Sequence, residues 1–151
     1  MTQIDTPPTT TEATEATEAT EATEATEATE ATVERYLTFW NTDPGPEQQR
    51  LATAVFREDV DHRGPLGARV GVDQVLQLSR DFAEHLGDVT FRARTEPVSH
   101  HDRVRLQWDV LRGEESFAKG TDVLAIDEHG LVQSVTTFLD RAPEGFDPHA
   151  H

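Results

Sequence analysis

Cysteine is absent from all 151 residues, which excludes disulfides, thiolate nucleophiles and thiolate metal ligands. Positive charge is scarce: 13 Lys and Arg stand against 29 Asp and Glu, for a net charge of −16, and Lys119 is the only lysine. Such a balance argues against nucleic acid and against anionic membrane surfaces as partners. Long apolar runs are missing, and nothing approaches the ~20 residues of a membrane span. The first residues, Met1-Thr2-Gln3-Ile4-Asp5, lack the basic flank and apolar stretch of a signal peptide, so a cytoplasmic location is expected. No nucleophile elbow, phosphate loop or dinucleotide fingerprint occurs.

What is there begins with a repeat. Thr11 to Ala31 is seven perfect copies of Thr-Glu-Ala. A three-residue step falls about 60° short of a helical turn, so no face stays apolar, and Glu residues three apart repel one another. Met1–Thr32 is therefore expected to be a disordered acidic tail. It carries eight acids and no base, which leaves 21 acids against 13 bases, a net −8, on the body from Val33.

The body changes period once. Val33, Tyr36, Leu37 and Trp40 recur at helical spacing, predicting a first helix from about Thr32 to Asn41. Asp43-Pro44-Gly45-Pro46 ends it and opens a second, reaching about Phe56 with Leu51, Ala54 and Val55 inward. Asp59–Arg63 reads as a short strand broken by Gly64-Pro65-Leu66-Gly67. A third helix is expected over Val72–Leu86, with Val72, Val75, Leu76, Ser79, Phe82 and Leu86 on one stripe and Gly87 as its cap. Thereafter the period is two. Val89, Phe91 and Ala93, then Val104, Leu106, Trp108 and Val110, alternate with polar residues. Leu111-Arg112-Gly113-Glu114 turns into Ser116–Asp127, and Leu131–Leu139 closes the set. Helices followed by half-polar antiparallel strands define an α+β domain over residues 33–141, with a flexible tail at 142–151.

Asp122 stands out within that meander. In Gly120-Thr121-Asp122-Val123-Leu124-Ala125-Ile126-Asp127 it shares a face with Leu124 and Ile126. A carboxyl facing a core must be hydrogen-bonded, paired or protonated. It is either a structural clamp, a residue turned outward by a bulge at Gly120, or the polar handle of a ligand pocket.

The order of these elements resembles the nuclear-transport-factor-2-like (NTF2-like) superfamily, and within it the SnoaL-like and ketosteroid-isomerase-like proteins. The resemblance covers about Val33–Leu139. It is carried by Val33-Glu34-Arg35-Tyr36 leading to Trp40-Asn41, by Phe56-Arg57-Glu58-Asp59-Val60, by Gly64-Pro65-Leu66-Gly67 with Gly71, and by Trp108, Gly120-Thr121-Asp122 and Asp127-Glu128-His129-Gly130-Leu131-Val132. It implies a cone: three N-terminal helices packed on a curved antiparallel sheet around an apolar pocket. In ketosteroid isomerases a tyrosine of the first helix and a protonated strand acid donate hydrogen bonds to a developing oxyanion, and the matching positions here are Tyr36 and Asp122. The isomerase's base lies just before the Pro-x-Gly turn, where this chain has Gly64. His62, two residues earlier on the same strand face, is the substitute base, or else a histidine hydrogen-bonded between helix and sheet. In SnoaL-like cyclases the acid–base carboxylate sits on a strand comparable with that of Asp122.

The implied function is thus binding, and acid–base transformation of the isomerase or cyclase type, of a small apolar carbonyl compound. Asp122, Tyr36 and His62 are the candidate catalytic groups. Trp40, Trp108, His100, Phe82 and Phe138 are the candidate ligand-binding groups, with His100 inward because His101 is out of phase with Val104. His100-His101 is expected to open a strand, so the two rings cannot share a metal. Asp147, His149 and His151 lack a third fixed ligand, and neither a metal nor another cofactor is expected. The alternative function is a dimerising or protein-interaction module of the same fold. A homodimer through the polar sheet face of Arg103, Arg105, Gln107 and Asp109 is expected in either case.

Overall fold

The structure, a computed structural model, describes residues 27–143. Helix α1 covers residues 27–40, followed by α2 (Pro46–Val55), strands β1 (Phe56–Gly64) and β2 (Gly67–Val70), and helix α3 (Val72–Leu86). Strands β3 (Thr90–Ala93), β4 (Val98–His100), β5 (Arg103–Arg112), β6 (Glu115–Ile126) and β7 (Val132–Arg141) complete the chain. Among the described residues no helix is long and apolar enough to cross a membrane.

The seven strands form one open sheet in the order β2-β1-β7-β6-β5-β3, with β4 beside the first half of β5 and β3 beside its second half. The long central strands β5, β6 and β7 are antiparallel, and their half-polar alternation fits a sheet with one wet face. The expectation of a wholly antiparallel sheet needs one correction: β1 and β7 run parallel, so the sheet is mixed. Periodicity reports which face is buried and carries no information on strand direction. Register shifts at Val110/Leu111, Lys119/Gly120 and Ala125/Ile126 interrupt the ladders, and such bulges bend a sheet. The helices occupy the concave side.

One boundary and one strand also differ from expectation. The first helix reaches back at least to residue 27, so the last two Thr-Glu-Ala copies are partly helical rather than tail. Thr32 is buried, and its hydroxyl lies 3.1 Å from the carbonyls of both Ala28 and Gly130, its one hydrogen shared between them. The repeat has no apolar face of its own, but one threonine at its end docks on the β6–β7 turn. The earlier part of the proposed tail, and the C-terminal segment with Asp147, His149 and His151, lie outside the described residues. Strand β2 was not foreseen, because Gly67-Ala68-Arg69-Val70 has no strand-like composition. It forms by antiparallel pairing with β1 across the Gly64–Gly67 turn.

The third helix agrees with its expected limits, Val72–Leu86, and buries Val75, Leu76, Leu78 and Ser79. Gly87 ends it with φ 71°, a conformation only glycine adopts freely, and its N–H closes on Ala83. Gln48 of α2 donates to Ser79 Oγ at 2.6 Å and to the Phe39 carbonyl at 3.3 Å, tying the three helices together in the buried interior. The main core joins Val33, Tyr36 and Phe39 to Val55, Phe56, Val60, Leu106, Leu124 and Val135. Trp108, Val110 and Ala118 form a separate cluster with Phe91, Phe117 and Leu139. That division leaves room for a cavity.

Candidate functional site

A cavity of about 520 Å³ opens between α1, α3 and the concave face of the sheet. The second apolar cluster makes one wall, and Leu37, Leu78, Phe82 and Leu86 of the helices make the other. Aromatic rings are concentrated here: Trp40 lies 5.8 Å from Phe82 and 6.1 Å from Phe91, and Phe91 lies 6.0 Å from Trp108. The few polar groups are grouped. Tyr36, Asp122, His62 and Thr137 line the interior, and Arg69, Asp81 and His85 stand with them on the α3–β2 side.

Asp122 is 5 % exposed and faces inward from β6, as strand phase requires. Three side chains converge on it. Tyr36 Oη lies 2.5 Å from Oδ2, while Trp108 Nε1 at 2.9 Å and Thr137 Oγ1 at 2.8 Å both donate to Oδ1. Pairing brings them together: Leu106 and Thr137 are the cross-strand neighbours of Asp122, and Trp108 is one step along the same face of β5. Burial pushes the Asp122 carboxyl above its ordinary range, against the pull of the Tyr36, Trp108 and Thr137 hydrogen bonds. Burial, and then the charge of Asp122, push the Tyr36 phenol well above its own. Tyr36 is therefore a neutral phenol at neutral pH.

The geometry fixes where a proton on Asp122 belongs. An indole N–H can only donate, so Oδ1 is held as an acceptor and the acidic proton falls on Oδ2. From there it would donate to Tyr36 Oη and free the phenolic hydrogen for another acceptor. In the ionised form Tyr36 donates to Oδ2 instead. With Asp122 protonated the pair carries two O–H hydrogens, one of them in the Oδ2–Oη bond; with Asp122 ionised it carries only the phenolic one.

His62 on β1 is 7 % exposed and also lines the cavity. Burial first, and the nearby Arg69 charge second, lower its pKa to about 4, so the imidazole is neutral at neutral pH and able to accept a proton. Gly64 lies beside it. A Cβ at position 64 would sit 3.2 Å from Thr137 Cβ and 3.6 Å from His62 Cε1, so a side chain there would enter the site. Arg69 is tied to Asp81 at 3.3 Å.

Of the residues expected at the ligand, the cavity brings together Tyr36, His62, Asp122, Trp40, Trp108 and Phe82. Two are elsewhere. Phe138 is 56 % exposed on the convex face, because Thr137 and Leu139 take the inward positions on β7. His100 is exposed on β4 and does not line the cavity. His100-His101 closes β4 rather than opening a strand: His101 has φ 54° in the turn, and that reversal voids a phase counted back from Val104. Sequence reasoning missed Thr137, Phe91 and the Arg69–Asp81 pair. Counting alternate residues on from Val135 would have selected Thr137 over Phe138. Nothing in the sequence marks Arg69, whose place depends on the β1–β2 hairpin. Among the described residues no group of three His, Cys, Asp or Glu is placed to hold a metal.

Neither a family model nor a curated protein sequence matches the chain. Solved structures do. A SnoaL-like family protein from Agrobacterium tumefaciens superposes with a TM-score of 0.71 at 21% identity, over 76% of this chain and 98% of that one. An NTF2-like protein of unknown function from Cytophaga hutchinsonii gives 0.58 at 16%, over 74% and 89%. A protein with a ketosteroid-isomerase-like fold from Catenulispora acidiphila, solved with trimethylamine, gives 0.59 at 16%, over 71% and 83%. The chain therefore has the NTF2-like fold, in the form shared by SnoaL-like and ketosteroid-isomerase-like proteins.

Proposed function

We propose that this chain is a small-molecule pocket protein that binds a small apolar carbonyl compound and transforms it by acid–base chemistry of the isomerase or cyclase type. The observation that carries the reading is the buried acid Asp122 on the wall of a mainly apolar cavity, held by Tyr36, Trp108 and Thr137. A purely structural acid needs no cavity, and an apolar cavity needs no acid. Their coincidence suits a ligand with an apolar body and one polar atom. In this reading the Asp122–Tyr36 pair supplies the proton to the carbonyl oxygen, and neutral His62 accepts one from the adjacent carbon. Gly64 leaves His62 as the candidate base, and a pKa of about 4 makes it a weak one that suits only an activated C–H.

A second reading has an observation of its own. Phe138 and Val98 are 56 % and 40 % exposed, and strand pairing places both on the convex face with Arg105, Gln107 and Thr121. Exposed large apolar side chains among polar ones suit a wet interface, and a homodimer through this face is the interaction-module alternative. A native mass spectrum of the protein purified from its own host tests both. A retained small molecule that is lost in Asp122→Leu supports the pocket reading. A ligand-free dimer, broken by Phe138→Glu and inert toward carbonyl compounds, supports the alternative.

A further inference from the structure

The cavity has a second polar end. Arg69, Asp81 and His85 line it away from the buried Asp122–Tyr36 pair. The Arg69 and Asp81 side chains are 23% and 33% exposed, and His85 beside them is exposed, so this end is the mouth. Arg69 on β2 is the cross-strand neighbour of His62 on β1, which directs both side chains to the cavity face. Its charge is second only to burial in keeping the His62 ring neutral, which places the cation close to the interior.

The Arg69 guanidinium is under-used there. Arg57 and Arg63 each set two N–H groups, from Nε and Nη2, on their aspartates. Arg69 gives Asp81 a single bond from Nη2 at 3.3 Å, and no other acceptor among the described residues meets it. Most of its N–H donors are thus left to water or to a ligand. Asp81 is itself shared, since Gln77 donates to its other oxygen at 2.9 Å. It is the one acid besides Asp122 among the described residues that line the cavity, and it faces both Arg69 and His85. The two polar ends lie well apart. Arg69 and Asp122 stand on β2 and β6, three steps along the order β2-β1-β7-β6. At ~4.8 Å per step their backbones are about 14 Å apart along the sheet.

We infer that Arg69 docks a carboxylate at the cavity mouth, and that the ligand is an oxo acid with its carbonyl at the Asp122–Tyr36 end and an apolar spacer of several carbons between. The inference rests on the pocket reading above and adds to it the second polar end of the ligand. A guanidinium fork matches the two oxygens of a carboxylate. At a half-open mouth the anion keeps part of its hydration, so the full cost of burying a charge does not arise. A cationic group would meet Arg69 instead. A 2-oxo or 3-oxo acid is too short to reach both ends.

The test uses the full chain and two probes that differ only in a carboxylate for a methyl group, 9-oxodecanoate and 2-decanone, titrated by calorimetry at neutral pH. Arg69→Met keeps the apolar stem and removes the fork. Expected is an affinity loss of about 10-fold for the oxo acid and less than about 2-fold for the ketone. Arg63→Met makes the same charge change on an exposed side chain outside the cavity, and should alter neither affinity by more than about 2-fold. Asp81→Asn removes the competing carboxylate and should tighten the oxo acid about 3-fold, with the ketone unchanged. Equal losses for both probes in Arg69→Met, or as large a loss of oxo acid in Arg63→Met, overturn the inference while leaving the pocket reading intact. So does an unaltered protein that binds the ketone but not the oxo acid. An unaltered protein that binds neither overturns both. If Arg69→Met fails to fold, Asp81→Asn decides alone: oxo-acid binding that is weaker or unchanged refutes the docking point.

Discussion

Gly120 and Trp108 face each other across the β5–β6 ladder, and a Cβ on Gly120 would lie 2.1 Å from Trp108 Cζ2. The indole therefore lies over the one residue of β6 without a side chain, which leaves its N–H within reach of Asp122 on that strand. A glycine at which the sequence alone admits a bulge is a seat for a tryptophan.

Gly120→Ala is accordingly expected to displace the Trp108 ring, break the bond to Asp122 and destabilise the fold by about 2–3 kcal/mol. Urea denaturation followed by fluorescence measures it. A double-mutant cycle with Trp108→Phe should show a coupling above about 1 kcal/mol. Additive losses would mean that Gly120 does not act through Trp108.

The carboxyl of Asp122 makes a sharper distinction. In Asp122→Asn the amide oxygen can still accept from Trp108 and Thr137 while the amide N–H donates to Tyr36, which reproduces the neutral acid. The change should cost less than about 1 kcal/mol. Asp122→Leu strands three buried partners and should cost about 3 kcal/mol or more. A large loss in the asparagine variant would show that the folded protein relies on an ionised Asp122, and the proton assignment would fall.

Stability should depend on His62 between pH 4 and 6.5. Its pKa is about 4 in the folded protein against 6.5 for an ordinary histidine, so the unfolded chain binds more protons throughout that window. The contribution is fully present above pH 6.5 and is lost as the pH falls toward 4, amounting to about 3 kcal/mol. The raised Asp122 carboxyl works in the opposite sense, losing stability as the pH rises, so the measurement belongs in the Asp122→Asn background. There, His62→Phe should flatten the slope. A slope unchanged by that substitution would place the titrating group elsewhere.

Much of the cone was legible because its elements are long and periodic. The third helix shows its stripe and its glycine cap within the segment itself, and the inward phase of Asp122 follows from its spacing to Leu124. The misplaced residues share a cause. Phe138 lies outside the cavity because Thr137 and Leu139 hold the inward positions of β7. His100 was phased through a turn in which the His101 backbone reverses. In both cases side-chain type or a count across a break stood in for the pairing partner.

Local spacing by itself determined that this chain has helices followed by strands, one inward acid and one tyrosine on a helix face, because burial periodicity is written residue by residue. Only the tertiary structure decided that Tyr36, Trp108 and Thr137 share that acid. Their meeting depends on strand register, on bulges that bend the sheet and on the bare backbone of Gly120, none of which leaves a mark within a single segment.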